Sequence, residues 1–254
     1  MQIIYGLIGY PLTHSFSKSY FTEKFAKEGR EGYHYKNFPI TDIGQLRQLV
    51  VQHHNLRGFN VTIPYKEQIV PLMDELDVSA TAAGAVNTVQ VLRNGKDFFL
   101  KGYNTDVYGF SRSLKEWFAS RHWELPRQAL ILGTGGASKA VVCALSDFGI
   151  TTHLVSRNEG KSIYKTCDRL TADDLAAHHL IVNTTPLGMF PNIGECPAIP
   201  YSHLTNKHLL YDLVYNPDET LFMRKGLEMG AFVHNGERML HLQADKAWEI
   251  WNNQ

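Results

Sequence analysis

Residues 128–140, QALILGTGGASKA, run from an apolar stretch through a glycine-rich turn into the start of a helix. Gly133 and Gly135 allow a tight turn and the close approach of a pyrophosphate to backbone amides. A helix opening at Gly136 and Ala137 offers unpaired N–H groups and partial positive charge. Ser138 stands where the third glycine of G-x-G-x-x-G would fall, although Gly136, Ala137 and Ala140 keep the helix face small. A bare glycine turn is equally at home in any strand-to-helix loop. Its position after a strand and inside a βαβ series is what points to a dinucleotide.

Outward from this turn, the next strand ends in HLVSRNEGKS (153–162). About 20 residues past the glycines an acidic residue would hold the ribose 2′-hydroxyl of NAD, whereas an arginine accommodates the 2′-phosphate of NADP. Here the strand ends in Ser156, Arg157 and Asn158, and Lys161 adds a second cation. Guanidinium grips phosphate bidentately, so NADP is expected over NAD. The competing reading is Glu159 turned inward onto a ribose.

Short apolar runs alternate with amphipathic stretches along the whole chain, the pattern of βαβ units and a mostly parallel sheet. The first hundred residues predict strands at 3–9, 33–38 and 56–63 and a hairpin over 86–100 turned at Asn94–Gly95, with helices near 17–27, 42–51 and 78–83. A second series predicts strands at 129–132, 153–156, 180–183, 209–213 and 232–234, with helices near 136–148, 171–178 and 220–229. A helix over 107–120 joins the two. The closing helix, 237–251, carries Leu240, Ala244, Ala247, Trp248 and Trp251 on one stripe, which is expected to pack back onto the first unit. The fold class is α/β, with two α/β domains and a cleft between them. The expected division is 1–103 plus 237–254 against 104–236.

The 254 residues carry 25 Lys+Arg and 25 Asp+Glu, so no net basic field would gather nucleic acid or anionic lipid. Cys143, Cys167 and Cys196 are odd in number and lack a C-x-x-C pair, which fits a reducing compartment, and a cytoplasmic location is expected. No apolar run approaches the ~18 residues of a membrane span. The apolar start MQIIYGLIGY reads as a first strand. His53–His54 and His178–His179 are adjacent pairs that point to different helix faces, and no metal site is expected.

GFNVTIPYKEQ (58–68) puts Lys66 just past a strand that Pro64 breaks, with Asn60, Thr62 and Tyr65 crowded beside it. Lys66 reads either as a solvated side chain on a helix opened by Glu67 or as part of a site.

Five stretches, HSFSKS (14–19), NVTIPYKE (60–67), GAVNT (84–88), GYNTDVYGF (102–110) and GTGGASKA (133–140), resemble shikimate dehydrogenase in the family's order. NTTPLGM (183–189), DLVYNPDET (212–220) and NGERML with Gln243 extend the resemblance over nearly the whole chain. It departs from the family at Ser17–Lys18, at Gly133–Thr134–Gly135 and at Ser156–Arg157–Asn158. The resemblance implies a substrate-binding domain and a Rossmann-like NADP-binding domain that together reduce 3-dehydroshikimate to shikimate, a step of chorismate and aromatic amino-acid biosynthesis. The partner is then a small molecule, and the chain is a monomer or a homodimer.

By the same resemblance Lys66 is the acid and base of the reaction and Asp106 its partner, though an aspartate at a helix start could also be an N-cap. Ser15 and Ser17 hold the substrate carboxylate with Tyr215, and Asn60, Thr62, Asn87 and Gln243 bind ring hydroxyls. Ser17 could alternatively cap the first helix. Gly236 and Met239 match contacts to the nicotinamide, though Met239 also reads as core. The nearest alternative is a quinate dehydrogenase using NAD. A non-catalytic NADP- or shikimate-binding regulator is a further one, against which the presence of both Lys66 and Asp106 speaks.

Overall fold

The computed structural model describes residues 2–12, 16–157 and 164–252. The chain forms two units, Met1–Thr105 with Ala244–Gln254, and Asp106–Gln243.

The first unit contains β1 (Ile3–Gly9), α1 (Phe16–Lys27), β2 (Tyr33–Pro39), α2 (Leu46–Gln52), β3 (Leu56–Val61), β4 (Glu75–Leu76), α3 (Val78–Ala83), β5 (Thr88–Asn94) and β6 (Asp97–Tyr103). Its sheet has the order β2-β1-β3-β5-β6-β4. The β1, β2 and β3 pairs are parallel, whereas β5 runs antiparallel to both β3 and β6. The sheet is therefore more mixed than the alternating pattern alone predicts, because a two-residue turn cannot join parallel strands. That turn is Gly95–Lys96, one residue beyond the expected position, with Gly95 at φ +62°.

Alternation along β1 buries both faces. Ile4 and Ile8 enter one cluster with Phe38, Leu46 and Val50 from β2 and α2. Tyr5 and Leu7 enter another with Phe21 and Phe25 of α1. Trp248 and Trp251 belong to this second cluster and come from the last helix, α8 (Glu237–Asn252). Gly58 is what lets the Trp251 indole lie against β3, since a Cβ there would collide with the ring, and the indole N–H donates to Val89 O at 3.0 Å.

No α-helix opens at Glu67. The chain makes turns over 66–69 and a 3₁₀ turn at Val70–Leu72. Pro71 has no N–H to give the Glu67 carbonyl and disfavours the helical region for Val70, so the expected helix cannot form.

The second unit begins within α4 (Thr105–Ser120) and continues through β7 (Gln128–Leu132), α5 (Gly136–Asp147), β8 (Thr151–Ser156), β9 (Lys165–Thr166), α6 (Ala172–Ala177), β10 (Leu180–Asn183), β11 (Leu209–Asp212), α7 (Leu221–Glu228) and β12 (Phe232–His234). Its sheet, β12-β11-β10-β7-β8-β9, is parallel throughout. The first strand of the series, β7, lies in the middle, and the order reverses between β7 and β10. A switch point therefore lies at the carboxyl ends of those two strands. Leu130, Leu132, Ile181 and Leu210 bury one face of the sheet. On the other, Tyr211 meets the Phe110 ring of α4 at 5.0 Å between centroids. No helix among the described residues is long and apolar enough to cross a membrane.

Candidate active site

In the first unit two of the predicted polar residues, Asn60 and Asn87, belong to one connected hydrogen-bond circuit. The Tyr35 hydroxyl donates to Asn60 Oδ1 at 2.7 Å. Asn60 Nδ2 donates to Thr88 Oγ1 at 3.0 Å and reaches the Asn87 carbonyl at 3.4 Å. Asn87 Oδ1 accepts from the Thr105 backbone N–H at 2.7 Å, and Asn87 Nδ2 donates to Thr105 Oγ1 at 3.0 Å. Asn60, Asn87, Thr88 and Thr105 are all buried. Every member of the circuit is neutral, so burying it carries no Born penalty, only the requirement that each group find a partner.

Lys66 is half-buried beside this circuit. Its carbonyl accepts the Val86 N–H at 2.7 Å, which ties the turn carrying Lys66 to the stretch carrying Asn87. Thr62 is also half-buried, and its N–H donates to Ile8 O at 2.9 Å. Ser17 is the second residue of α1, inside the first turn and not its cap. Ser15 lies outside the described residues.

In the second unit, Asp106 is buried in the first turn of α4. Gln243, also buried, donates from Nε2 to Leu240 O at 2.8 Å. Tyr215 is half-buried in the loop after β11, and burial raises its phenol pKa. Met239 is buried, and Gly109 of α4 lies so close to the Met239 carbonyl that a Cβ would come within 2.7 Å of it. Gly236 is required by the β11 loop, because a Cβ there would run into the Leu213 carbonyl.

The glycine turn divides its tasks. Gly133 has φ +117°, and a Cβ on it would sit 2.6 Å from Thr184 Oγ1, so only glycine fits. Gly135 is extended and N-caps α5 without a side-chain bond, with open space where its Cβ would be. The first amides of α5, at Gly136 and Ala137, have no acceptor within the helix, and a helix start that follows such a glycine turn suits the pyrophosphate of a dinucleotide. Ser138, where the third glycine of G-x-G-x-x-G would fall, folds back, its hydroxyl donating to Gly135 O at 2.6 Å. At the end of β8, Ser156 is half-buried and Arg157 exposed, while Asn158, Glu159 and Lys161 lie outside the described residues.

A buried carboxylate closes this end of the second sheet. Asp212, at the end of β11, accepts from Asn183 Nδ2 (2.9 Å), Val214 N (3.0 Å) and Thr220 Oγ1 (2.6 Å). Burial nevertheless pushes its pKa up to about 6, outweighing those three donors. Asn183 in turn accepts from Thr185 N and Oγ1. The loops after β10 and β11 are thereby fastened to one group.

Sequence reasoning missed Tyr35, Thr88, Thr105 and Asp212 as members of these networks. The two threonines directly follow or precede residues it singled out, Asn87 and Asp106. A tyrosine within a strand reads as core, and only the fold shows where its hydroxyl goes.

An all-parallel six-stranded sheet with a glycine turn at its switch point is a Rossmann-like unit, so the chain is a two-domain α/β protein of the nucleotide-binding class. The shikimate dehydrogenase substrate binding domain model matches residues 7–89. A shikimate dehydrogenase (NADP(+)) from Desulforamulus reducens is 36% identical over 265 residues, covering 97% of this chain and 88% of the relative. The structure of shikimate 5-dehydrogenase from Thermus thermophilus in complex with NADP(H) and shikimate superposes with a TM-score of 0.82 at 27% identity, covering 100% of this chain and 94% of the other. Quinate dehydrogenase from Corynebacterium glutamicum in complex with NAD does so with a TM-score of 0.84 at 28% identity and the same coverage. The chain belongs to the shikimate dehydrogenase family.

Proposed function

We propose that this chain catalyses the reversible, NADPH-dependent reduction of 3-dehydroshikimate to shikimate, with Lys66 as general acid and base and Asp106 as its partner. The observation that carries the proposal is the neutral circuit in the first unit. It joins Asn60 and Asn87 within the stretch that matches a substrate-binding domain, and a backbone bond fastens the Lys66 turn to it. NADPH, when bound, supplies the hydride. The chain's own task is to stabilise negative charge growing on the ketone oxygen and to give that oxygen a proton, which an ammonium does for about 10²–10⁴-fold in rate. In the reverse direction the neutral amine takes the proton back.

Ser15, Ser17 and Tyr215 provide hydroxyl donors for the substrate carboxylate, and Asn60, Thr62, Asn87 and Gln243 meet the ring hydroxyls. Asn87 suits this role, since one of its two amide hydrogens goes to Thr105 Oγ1 and the other remains for a ligand. Gly133, Gly135, Gly136 and Ala137 hold the pyrophosphate, Ser156, Arg157, Asn158 and Lys161 the 2′-phosphate, and Gly236 and Met239 border the nicotinamide. On this reading residues 1–103 with 237–254 form the substrate-binding domain and 104–236 the NADP-binding one. The enzyme acts in the cytoplasm, as a monomer or a homodimer.

The likeness to an NAD-bound quinate dehydrogenase supports a second reading, oxidation of quinate with NAD. Initial rates with shikimate and quinate, each against NADP and NAD, separate the two. The first reading requires the highest kcat/KM with shikimate and NADP. Lys66→Ala should lower kcat by at least ~10²-fold while KM for shikimate changes little. Near-full turnover in that variant would refute the assignment of Lys66.

A further inference from the structure

We propose that Tyr35 is a positioning residue for the substrate site, its hydroxyl fixing the orientation of the Asn60 amide. The inference rests on the assignment of Asn60 to substrate binding above and concerns how that site is held in shape.

Hydrogen counting shows what the hydroxyl does. A phenol has one hydrogen, and that of Tyr35 goes to Asn60 Oδ1 at 2.7 Å. That bond decides how the Asn60 amide sits. An amide's oxygen and nitrogen ends are nearly the same shape, and only their partners decide which way round the group sits. Tyr35 supplies the side-chain donor to Oδ1, and this sends Nδ2 towards Thr88 Oγ1 and the Asn87 carbonyl.

Tyr35 is itself immobile. It is buried, and its ring stacks on Phe21 with centroids 4.8 Å apart and planes 11° from parallel. A rigid ring that delivers its hydroxyl to a site residue saves the substrate the ordering of that side chain, and such preorganisation is read in KM, not in the chemical step.

Tyr35→Phe keeps the ring and removes only the hydroxyl. We expect KM for shikimate to rise about fivefold to tenfold, the equivalent of one hydrogen bond, with kcat within about twofold and KM for NADP unchanged. Asn60→Ala should raise KM as well, and the Asn60→Ala/Tyr35→Phe double variant should lose less than the product of the two single effects, because both remove parts of one circuit. Tyr33→Phe, which takes a hydroxyl from a neighbouring ring of the same cluster, controls for loss of packing and should leave KM as it is. If Asn60→Ala raises KM while Tyr35→Phe does not, or if Tyr35→Phe lowers kcat at constant KM, the positioning role is wrong. If Asn60→Ala leaves KM unchanged, the assignment of Asn60 to the substrate site fails, and this inference with it.

Discussion

The two units bury polar networks of opposite kinds. The first unit links Tyr35, Asn60, Thr88, Asn87 and Thr105, all neutral side chains. The second builds on carboxylates. Asp212 gathers Asn183, Val214 and Thr220, and Asp174 gathers Lys165, Tyr164 and Thr171. The two carboxylates also differ from each other. Burial dominates at Asp212 and raises its pKa. At Asp174 burial pulls the same way but is outweighed by the Lys165 ammonium, the Tyr164 and Thr171 hydroxyls and the Thr171 N–H, and the carboxyl is held far below its usual range. A buried carboxylate is thus stabilised in its charged form by a cationic partner much more than by neutral donors alone.

The largest break in this contrast should come from Asp212→Ala, which leaves Asn183 Nδ2, the Val214 N–H and the Thr220 hydroxyl buried without their acceptor. About 3–5 kcal/mol of stability should be lost, read by urea unfolding, whereas Thr105→Val in the neutral circuit should cost about 1–2 kcal/mol. Equal losses at the two sites would erase the distinction.

Next in size is a dependence on pH. Folded Asp212 binds its proton more tightly than the unfolded chain does, so between about pH 4 and 6 its contribution to stability falls as pH rises and is flat above that range. Moving from 3.8 to about 6 corresponds to about 3 kcal/mol. Asp174 works with the reverse sign, since its stabilisation is present above pH 4 and is lost as pH falls towards its lowered folded value. The difference in melting temperature between the wild type and Asp212→Asn should therefore change across pH 4–7, and the corresponding difference for Tyr35→Phe should not. A constant difference for Asp212→Asn would mean that its carboxyl titrates normally.

The smallest effects on stability separate the two glycines. Gly133→Ala meets both a left-handed φ and Thr184, and should cost about 2 kcal/mol, lowering the melting temperature by several degrees. Gly135→Ala has ordinary φ and open space, so the fold should tolerate it while KM for NADP rises about tenfold. If Gly135→Ala left KM for NADP unchanged, the gap beside it would not be the cofactor's.

Most of the strands were legible because apolar runs between turn residues are a local signal, and the glycine turn was legible because its position after β7 is part of the pattern. The two-residue strands β4 and β9 carry no such periodicity, and they exist only because a sheet edge is there to pair with. The helix expected after Lys66 does not form, since Pro71 outweighs the helix-forming residues around it. In the site, the sequence singles out residue types that announce chemistry, Lys66 and Asp106 among them, together with amides such as Asn60 and Asn87, which the structure joins in one circuit. Tyr35 and Asp212 escaped because their importance lies in what their oxygens touch across the sheets, and nothing in the local order of YHYKNF or LLYDLV specifies that.

The return of α8 to the first sheet bears on how the polypeptide acquires its shape during synthesis. Trp248 Nε1 reaches Glu28 across 220 residues of chain, and Trp251 fills the space over Gly58. Until those tryptophans leave the ribosome, the aromatic side of β1 and α1 is bare to solvent, while the whole of 106–243 is made and free to fold in the meantime. The unit translated first is therefore the one finished last, and it is there that newly made chains should be most prone to stick to one another or to require a chaperone.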